Sequence, residues 1–176
     1  MVDKLKRRPN KKRSLLDLAA KLVSQNGFEA LTIDGLAHVA QITKGGVQYH
    51  FASKDSLIAE LLQYLLGTLD DALEPFAGRD WLSAYVNFTL GEPNDGDGAV
   101  AAILAALPPR DPRCAPFEFY ARKWKQQAAE SGLDSALAQI IRLAADGQWL
   151  ERSFGTATAA EMAVTQNALQ NLIKGH

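Results

Sequence analysis

The side chains best equipped to engage a partner crowd into the first third of the chain. Residues 1–55 hold ten Lys/Arg: Lys4, Lys6, Arg7, Arg8, Lys11, Lys12, Arg13, Lys21, Lys44 and Lys54. Five acids oppose them, Asp3, Asp17, Glu29, Asp34 and Asp55, leaving a net charge of +5. The other 121 residues carry nine basic and fifteen acidic groups, a net −6, so the overall charge of −1 conceals a divided molecule. A basic segment on an otherwise acidic chain suits contact with a polyanion through one end. A solvated basic tail would give the same count, so the charge needs support from the pattern around it.

Other chemistries find little footing. The single cysteine, Cys114, stands near Pro112 and Pro116 with no His or Cys cluster, and reads as a buried or inert thiol. It cannot form an intrachain disulfide, which fits a reducing, cytoplasmic setting. His50 lacks a second His or an acidic partner at metal-ligand spacing, and His38 reads as a solvated position, so neither a metal nor a cofactor is expected. A nucleophile elbow, a phosphate-binding loop and paired carboxylates are missing, which argues against an enzyme. No apolar run approaches the ~20 residues of a membrane span. No apolar segment follows the basic N-terminus, as a secretory signal would require.

The elements that must position these residues read as helices throughout, in a chain 47% hydrophobic. The first opens at Ser14 as N-cap, with Asp17 as its partner, and carries Leu15, Leu18, Ala19, Leu22 and Val23 before Asn26-Gly27 stops it. Thr32 caps a short second helix. Gln41-Ile42 makes a turn, and Thr43 caps a third helix running to about His50. Ser53 opens a leucine-rich fourth helix, residues 54–74. Leu18, Leu22, Phe28, Ile33, Leu36, Val39, Val47 and Phe51 are the predicted core of this N-terminal unit, with Ile42 also inside. Beyond it, helices are predicted over 79–90, 99–107, 115–130, 134–152 and 157–173. The acidic stretch 91–98 (GEPNDGDG) and residues 108–112 are breaks. The whole is an all-α chain of about nine helices.

Two helices joined by a short turn, the second narrow and hydrophilic, match a helix-turn-helix. Gly45 and Gly46 cost that helix ~1 kcal/mol each relative to alanine, which bulk kept away from base edges or from a neighbouring helix would explain. The stretch from Thr32 to Leu57 (TIDGLAHVAQITKGGVQYHFASKDSL) resembles the DNA-binding segment of the TetR/AcrR family of bacterial regulators. Thr43-Lys44-Gly45, Tyr49-His50-Phe51 and Ser53-Lys54-Asp55 fall in that family's register. The segment from Ile140 to Leu150 (IIRLAADGQWL) is similar to one subgroup of its ligand domains.

The resemblance implies roles residue by residue. Thr32, Thr43, Tyr49 and Lys54 would grip phosphates, giving salt-dependent affinity. Lys44, Gly45, Gln48 and His50 would face base edges, with Gln48 able to pair with adenine and Lys44 to approach guanine. Gln48 stands where relatives often carry an apolar residue, and is either a specificity determinant or a solvated side chain. Lys6 to Arg13 follow the DNA backbone, enter a minor groove, or form a disordered arm.

The implied organisation is a flexible basic arm (1–13), a helix-turn-helix domain (14–56) and a helical effector-binding and dimerisation domain (57–176). The last two helices, rich in alanine, would pair with a second copy, though intrachain packing would also use their apolar faces. Trp81, Tyr85, Phe88, Phe117, Tyr120, Trp124, Arg142 and Trp149 are candidate effector residues. Arg142 and Asp146, spaced i and i+4, could pair on the helix surface or serve as anchors inside a cavity. The expected function is a one-component repressor that binds palindromic double-stranded operator DNA as a homodimer and is released by a small-molecule effector. A constitutive DNA-binding protein without effector is the alternative, and a cavity of several hundred Å³ would count against it.

Overall fold

A computed structural model describes residues 11–175. Nine α-helices and three short 3-10 turns make up its regular structure, with no strand among the described residues. The first four helices are α1 (Lys11–Asn26), α2 (Ile33–Ala40), α3 (Lys44–Gln48) and α4 (Lys54–Leu73). They are followed by α5 (Trp81–Leu90), α6 (Asp95–Ala106), α7 (Ala115–Ala129), α8 (Ser135–Ser153) and α9 (Ala159–Lys174).

Helix boundaries follow side chains that satisfy the first free N–H groups of each helix. Thr32 Oγ1 accepts from Gly35 N at 2.8 Å, and Thr43 Oγ1 accepts from Gly46 N at 3.1 Å. Ser53 and Ser56 form a reciprocal capping box at the start of α4. Asp134 caps α8 through the N–H groups of Ala136 and Leu137. At Gly27, φ of +81° ends α1 where a side chain would be strained.

Four local expectations need correction. Helix α1 is already formed at Lys11, so Ser14 lies inside it and does not cap it. Lys12 pairs with Glu60 and Arg13 Nε donates to Tyr64 Oη at 3.2 Å, which ties this basic turn to α4. Residues 1–10 of the expected arm lie outside the described residues. The stretch 91–98 is only half a break, because α6 begins at Asp95. There Asn94 and Asp97 form a capping box, and Asp95 and Asp97 place negative charge at the helix's positive end. Val39, expected in the core, is 41% exposed, because Leu36 and Ala37 supply the buried face of α2. Helix α3 also stops at Gln48, short of His50.

One continuous core runs through the molecule. Leu15, Ala19 and Val23 of α1, Leu36 of α2, Val47 of α3, Phe51, and Leu57, Ile58 and Leu61 of α4 fill its N-terminal part. Trp81, Leu82 and Val86 of α5, Ile103 of α6 and Ile141 of α8 continue it. Helix α1 packs chiefly along α6, and α4 along α7, so the N-terminal unit rests directly on the second half of the chain.

Candidate functional site

Helix α3 is held from below and bare above. Val47 and the following Phe51 are fully buried and fix its orientation. On the outer side Thr43, Lys44, Gly45, Gln48 and Tyr49 are exposed, with His50 half-buried. Tyr49 is 86% exposed and meets the His50 ring edge-on, with centroids 5.1 Å apart. An aromatic residue left so bare has its hydroxyl free for a partner. The Thr32 and Thr43 oxygens accept backbone bonds as caps, which leaves each O–H able to donate outward. A Cβ at Gly45 would meet only Thr43 Oγ1 at 4.0 Å, so nothing inside the protein demands glycine there.

Two of the cations are already engaged. Lys44 Nζ lies 2.9 Å from Asp34 Oδ2 on α2, an exposed pair worth ~0–1 kcal/mol that a phosphate or base can displace. Lys54 Nζ stands 4.9 Å above the Phe28 ring, which holds the ammonium beside the start of α4. Thr32, Thr43, Lys44, Gly45, Gln48, Tyr49, His50 and Lys54 therefore all belong to the α2–α3 unit and the first turn of α4.

The second feature is a cavity of about 870 Å³, partly open to solvent and lined by α1, α4, α5, α6, α7 and α8. Tyr64, Tyr85, Phe88, Phe117, Trp124 and Trp149 form aromatic walls, and Leu65, Leu69, Val100 and Leu104 line the remainder with Thr89, Arg142 and Asp146. Of the eight residues expected around an effector, six line this space: Tyr85, Phe88, Phe117, Trp124, Arg142 and Trp149.

Trp81 and Tyr120 do not line the cavity. Trp81 is fully buried behind Tyr85, stacked on it at 4.9 Å, and Tyr120 Oη accepts from Gln63 Nε2 at 2.7 Å. Both support wall residues from behind. Sequence reasoning missed Asp17 and Ala20 of α1 and Tyr64, Leu65 and Leu69 of α4 as lining residues. Their position follows from α1 packing along α6, a long-range contact without a local sequence signal.

The polar wall is organised around one ion pair. Arg142 Nη1 donates to Asp146 Oδ2 at 2.5 Å, and Tyr85 Oη donates to Asp146 Oδ1 at 2.6 Å. The i, i+4 pair thus forms on its helix and also faces the cavity. Burial raises the Asp146 carboxyl above its ordinary value against the opposing pull of Tyr85 and Arg142. Burial, reinforced by the Asp146 charge, raises the Tyr85 hydroxyl well above its own. At the α6 end, burial raises Asp97, while Asn94 N and Arg152 oppose the shift. At the α1 end Tyr64 Oη donates to Asp17 Oδ1 at 2.5 Å, so the cavity wall there is also a tether between α1 and α4.

A capped three-helix unit presenting a short bare helix, set on a helical body, is the arrangement of a helix-turn-helix regulator. Comparison with known proteins gives the particular family. Residues 15–61 match the model for bacterial regulatory proteins of the tetR family, and residues 79–174 match that for the tetracyclin repressor-like C-terminal domain. The chain belongs to the TetR family of transcriptional regulators.

Among curated relatives, the HTH-type transcriptional repressor KstR2 of Rhodococcus jostii is 42% identical over 57 residues, covering 32% of this chain and 26% of KstR2. The HTH-type transcriptional regulator BetI of Brucella canis is 28% identical over 102 residues, covering 58% of this chain and 45% of BetI. The match thus spans less than half of either relative. A putative TetR-family regulator from Rhodococcus sp. shares the fold, with a TM-score of 0.77 at 16% identity over 93% of this chain and 97% of that one. Among the described residues no helix is long and apolar enough to cross a membrane.

Proposed function

We propose that this regulator is a repressor that binds a palindromic operator as a homodimer and is released when a small molecule occupies the cavity. The observation that carries the reading is the reach of the cavity into both halves of the chain. Asp17 and Ala20 of α1 line it together with Arg142, Asp146 and Trp149 of α8. An occupant therefore touches the helix that supports α2 and α3, and a ligand that favours one tilt of α1 shifts the population able to bind DNA. Two recognition helices in a dimer must meet successive major grooves ~34–36 Å apart, so a small tilt suffices to break the match.

Dimerisation is supported by what α8 and α9 leave uncovered. Ile140, Leu143 and Leu150 on α8 and Phe154 just past its end follow one another at helical spacing, and Val164 and Leu172 do so on α9. All six are exposed, with Ile140 at 60% and Val164 at 70%. Paired copies of these two helices would bury that surface in a four-helix arrangement. A constitutive DNA-binding protein has no use for an aromatic cavity of this size, and so the alternative is disfavoured.

Footprinting on DNA flanking the protein's own coding region tests the reading. Protection of a palindromic site is expected, lost on changing both Tyr49 and Lys54 to Ala. Equal affinity for random DNA at physiological salt would overturn it. Release is measured on the same site, by screening small hydrophobic compounds first for a thermal shift and then for loss of the footprint.

A further inference from the structure

The cavity contains hydrogen-bond donors without acceptors, and that imbalance defines the chemistry of its occupant. The Arg142 side chain is 11% exposed and makes one hydrogen bond, through Nη1 to Asp146, of the five its guanidinium can donate. Its Nε is buried without a partner among the described residues. Asp146, on the same wall, is in the opposite condition, with both oxygens occupied, by Tyr85 and Arg142. Asp97 takes Asn94 N at 3.1 Å and Arg152 Nη2 at 3.3 Å, and Asp17 takes the Tyr64 hydroxyl. Asp95 lies exposed in the first turn of α6.

We propose that the ligand of this cavity is a largely apolar molecule carrying an oxygen acceptor, a carbonyl or a carboxylate, that seats against the guanidinium of Arg142. This rests on reading the cavity as the effector site. A cation approaching Asp146 would meet a carboxylate whose two oxygens already hold Tyr85 and Arg142. An acceptor gains a charge-assisted hydrogen bond and displaces nothing. Because Asp146 already balances Arg142, a neutral carbonyl meets the requirement as well as a carboxylate does. The rest of the molecule must be apolar, since Phe88, Phe117, Trp124, Trp149, Leu69 and Leu104 leave it little else to touch.

Three probes sharing a naphthalene body separate the possibilities: 2-naphthoate, 2-acetonaphthone and (2-naphthylmethyl)trimethylammonium, each titrated calorimetrically into the full chain. Either oxygen-bearing probe, or both, should bind at least tenfold more tightly than the ammonium, and their ranking distinguishes carboxylate from carbonyl. Arg142→Met should weaken the oxygen-bearing probe tenfold or more and should not weaken the ammonium. Because that change strips Asp146 of its cation, the pair Arg142→Met with Asp146→Asn is measured beside it, with circular dichroism to verify folding. Should neither variant fold, the ranking on the unaltered chain decides.

Tightest binding by the ammonium, binding by none of the three, or unchanged affinity in a folded Arg142 variant would each overturn the assignment. A probe that binds yet leaves the operator footprint intact sinks the effector reading and spares the ligand class. If the three probes fail while other compounds dissolve the footprint, the class alone is wrong.

Discussion

Gly45 and Gly46 look interchangeable in the sequence, yet a Cβ would find nearly open space at one and ordinary packing contact at the other. At Gly46 it would sit 3.4 Å from both Ile42 Cδ1 and Thr43 Oγ1, whereas at Gly45 its nearest neighbour is 4.0 Å away. Nothing in the folded chain therefore holds position 45 to glycine. Gly45→Ala should stabilise the protein by ~1 kcal/mol, the ordinary gain from replacing a helical glycine, read as a rise in melting temperature. The same variant should bind operator at least tenfold more weakly, and unchanged affinity would remove Gly45 from the interface. A second residue, Asp111, gives a pH-dependent prediction. Its carboxylate accepts from Arg113 Nε at 2.8 Å and Nη2 at 2.6 Å, and from Arg113 N at 2.9 Å. These bonds lower its pKa from 3.8 to about 2. A depressed carboxylate contributes stability that is present above the unfolded value and lost as pH falls through the folded one. Asp111→Asn should therefore be destabilised at neutral pH, with its urea midpoint converging on that of the unaltered chain as pH drops from about 4 toward 2. A deficit that stays constant over that range would assign the loss to something other than this charge.

At the scale of elements, the decisive contact is α1 against α6, and Gly98 allows it. A Cβ there would approach Ser24 Oγ to 2.8 Å and Ser24 Cβ to 3.4 Å. Alanine could be relieved by turning the serine hydroxyl, but the two further methyls of valine cannot be accommodated that way. Gly98→Val should force α1 away from α6, lower operator affinity several-fold and blunt any ligand response, while α8 and α9 keep their positions. Retained affinity with a normal ligand response would show that α6 does not govern α1. This contact also marks where sequence reasoning stops. The helix-turn-helix was legible because its determinants are local: Thr32, Thr43 and Ser53 each cap a helix within three residues. The start of α6 was hidden because Asn94 and Asp97 look like turn residues until their capping bonds are seen. Six cavity residues were legible as aromatics and an arginine at helical spacing. Asp17, Ala20 and Tyr64 were not, because their place in the wall depends on helices distant in sequence. Trp81 and Tyr120 had the right chemistry on faces turned away from the space.

Over the whole molecule, the proposed function needs two copies, and the face left open on α8 and α9 is where that requirement can be tested. Ala138, Ile141, Ala145, Met162 and Leu169 already serve the intrachain core, so the apolar stripe opposite them is surplus to the folding of one chain. Exposed apolar surface concentrated on adjoining helices marks an interaction site more often than chance scatter. Changing Ile140 and Val164 together to Glu places two charges in the proposed interface. Both positions are more than half exposed, so the folded protomer should lose little stability. Light scattering after size exclusion should give the mass of one chain for the variant and of two for the unaltered protein. The consequence for DNA is separable from the fold, because the recognition unit of each protomer is untouched. A monomer binds one half-site and forfeits the added affinity of the second, so the footprint should vanish at concentrations where the dimer still protects both halves. If the double variant remains a dimer, the partner must use another face, and the spacing of the recognition helices would have to be set by that face instead.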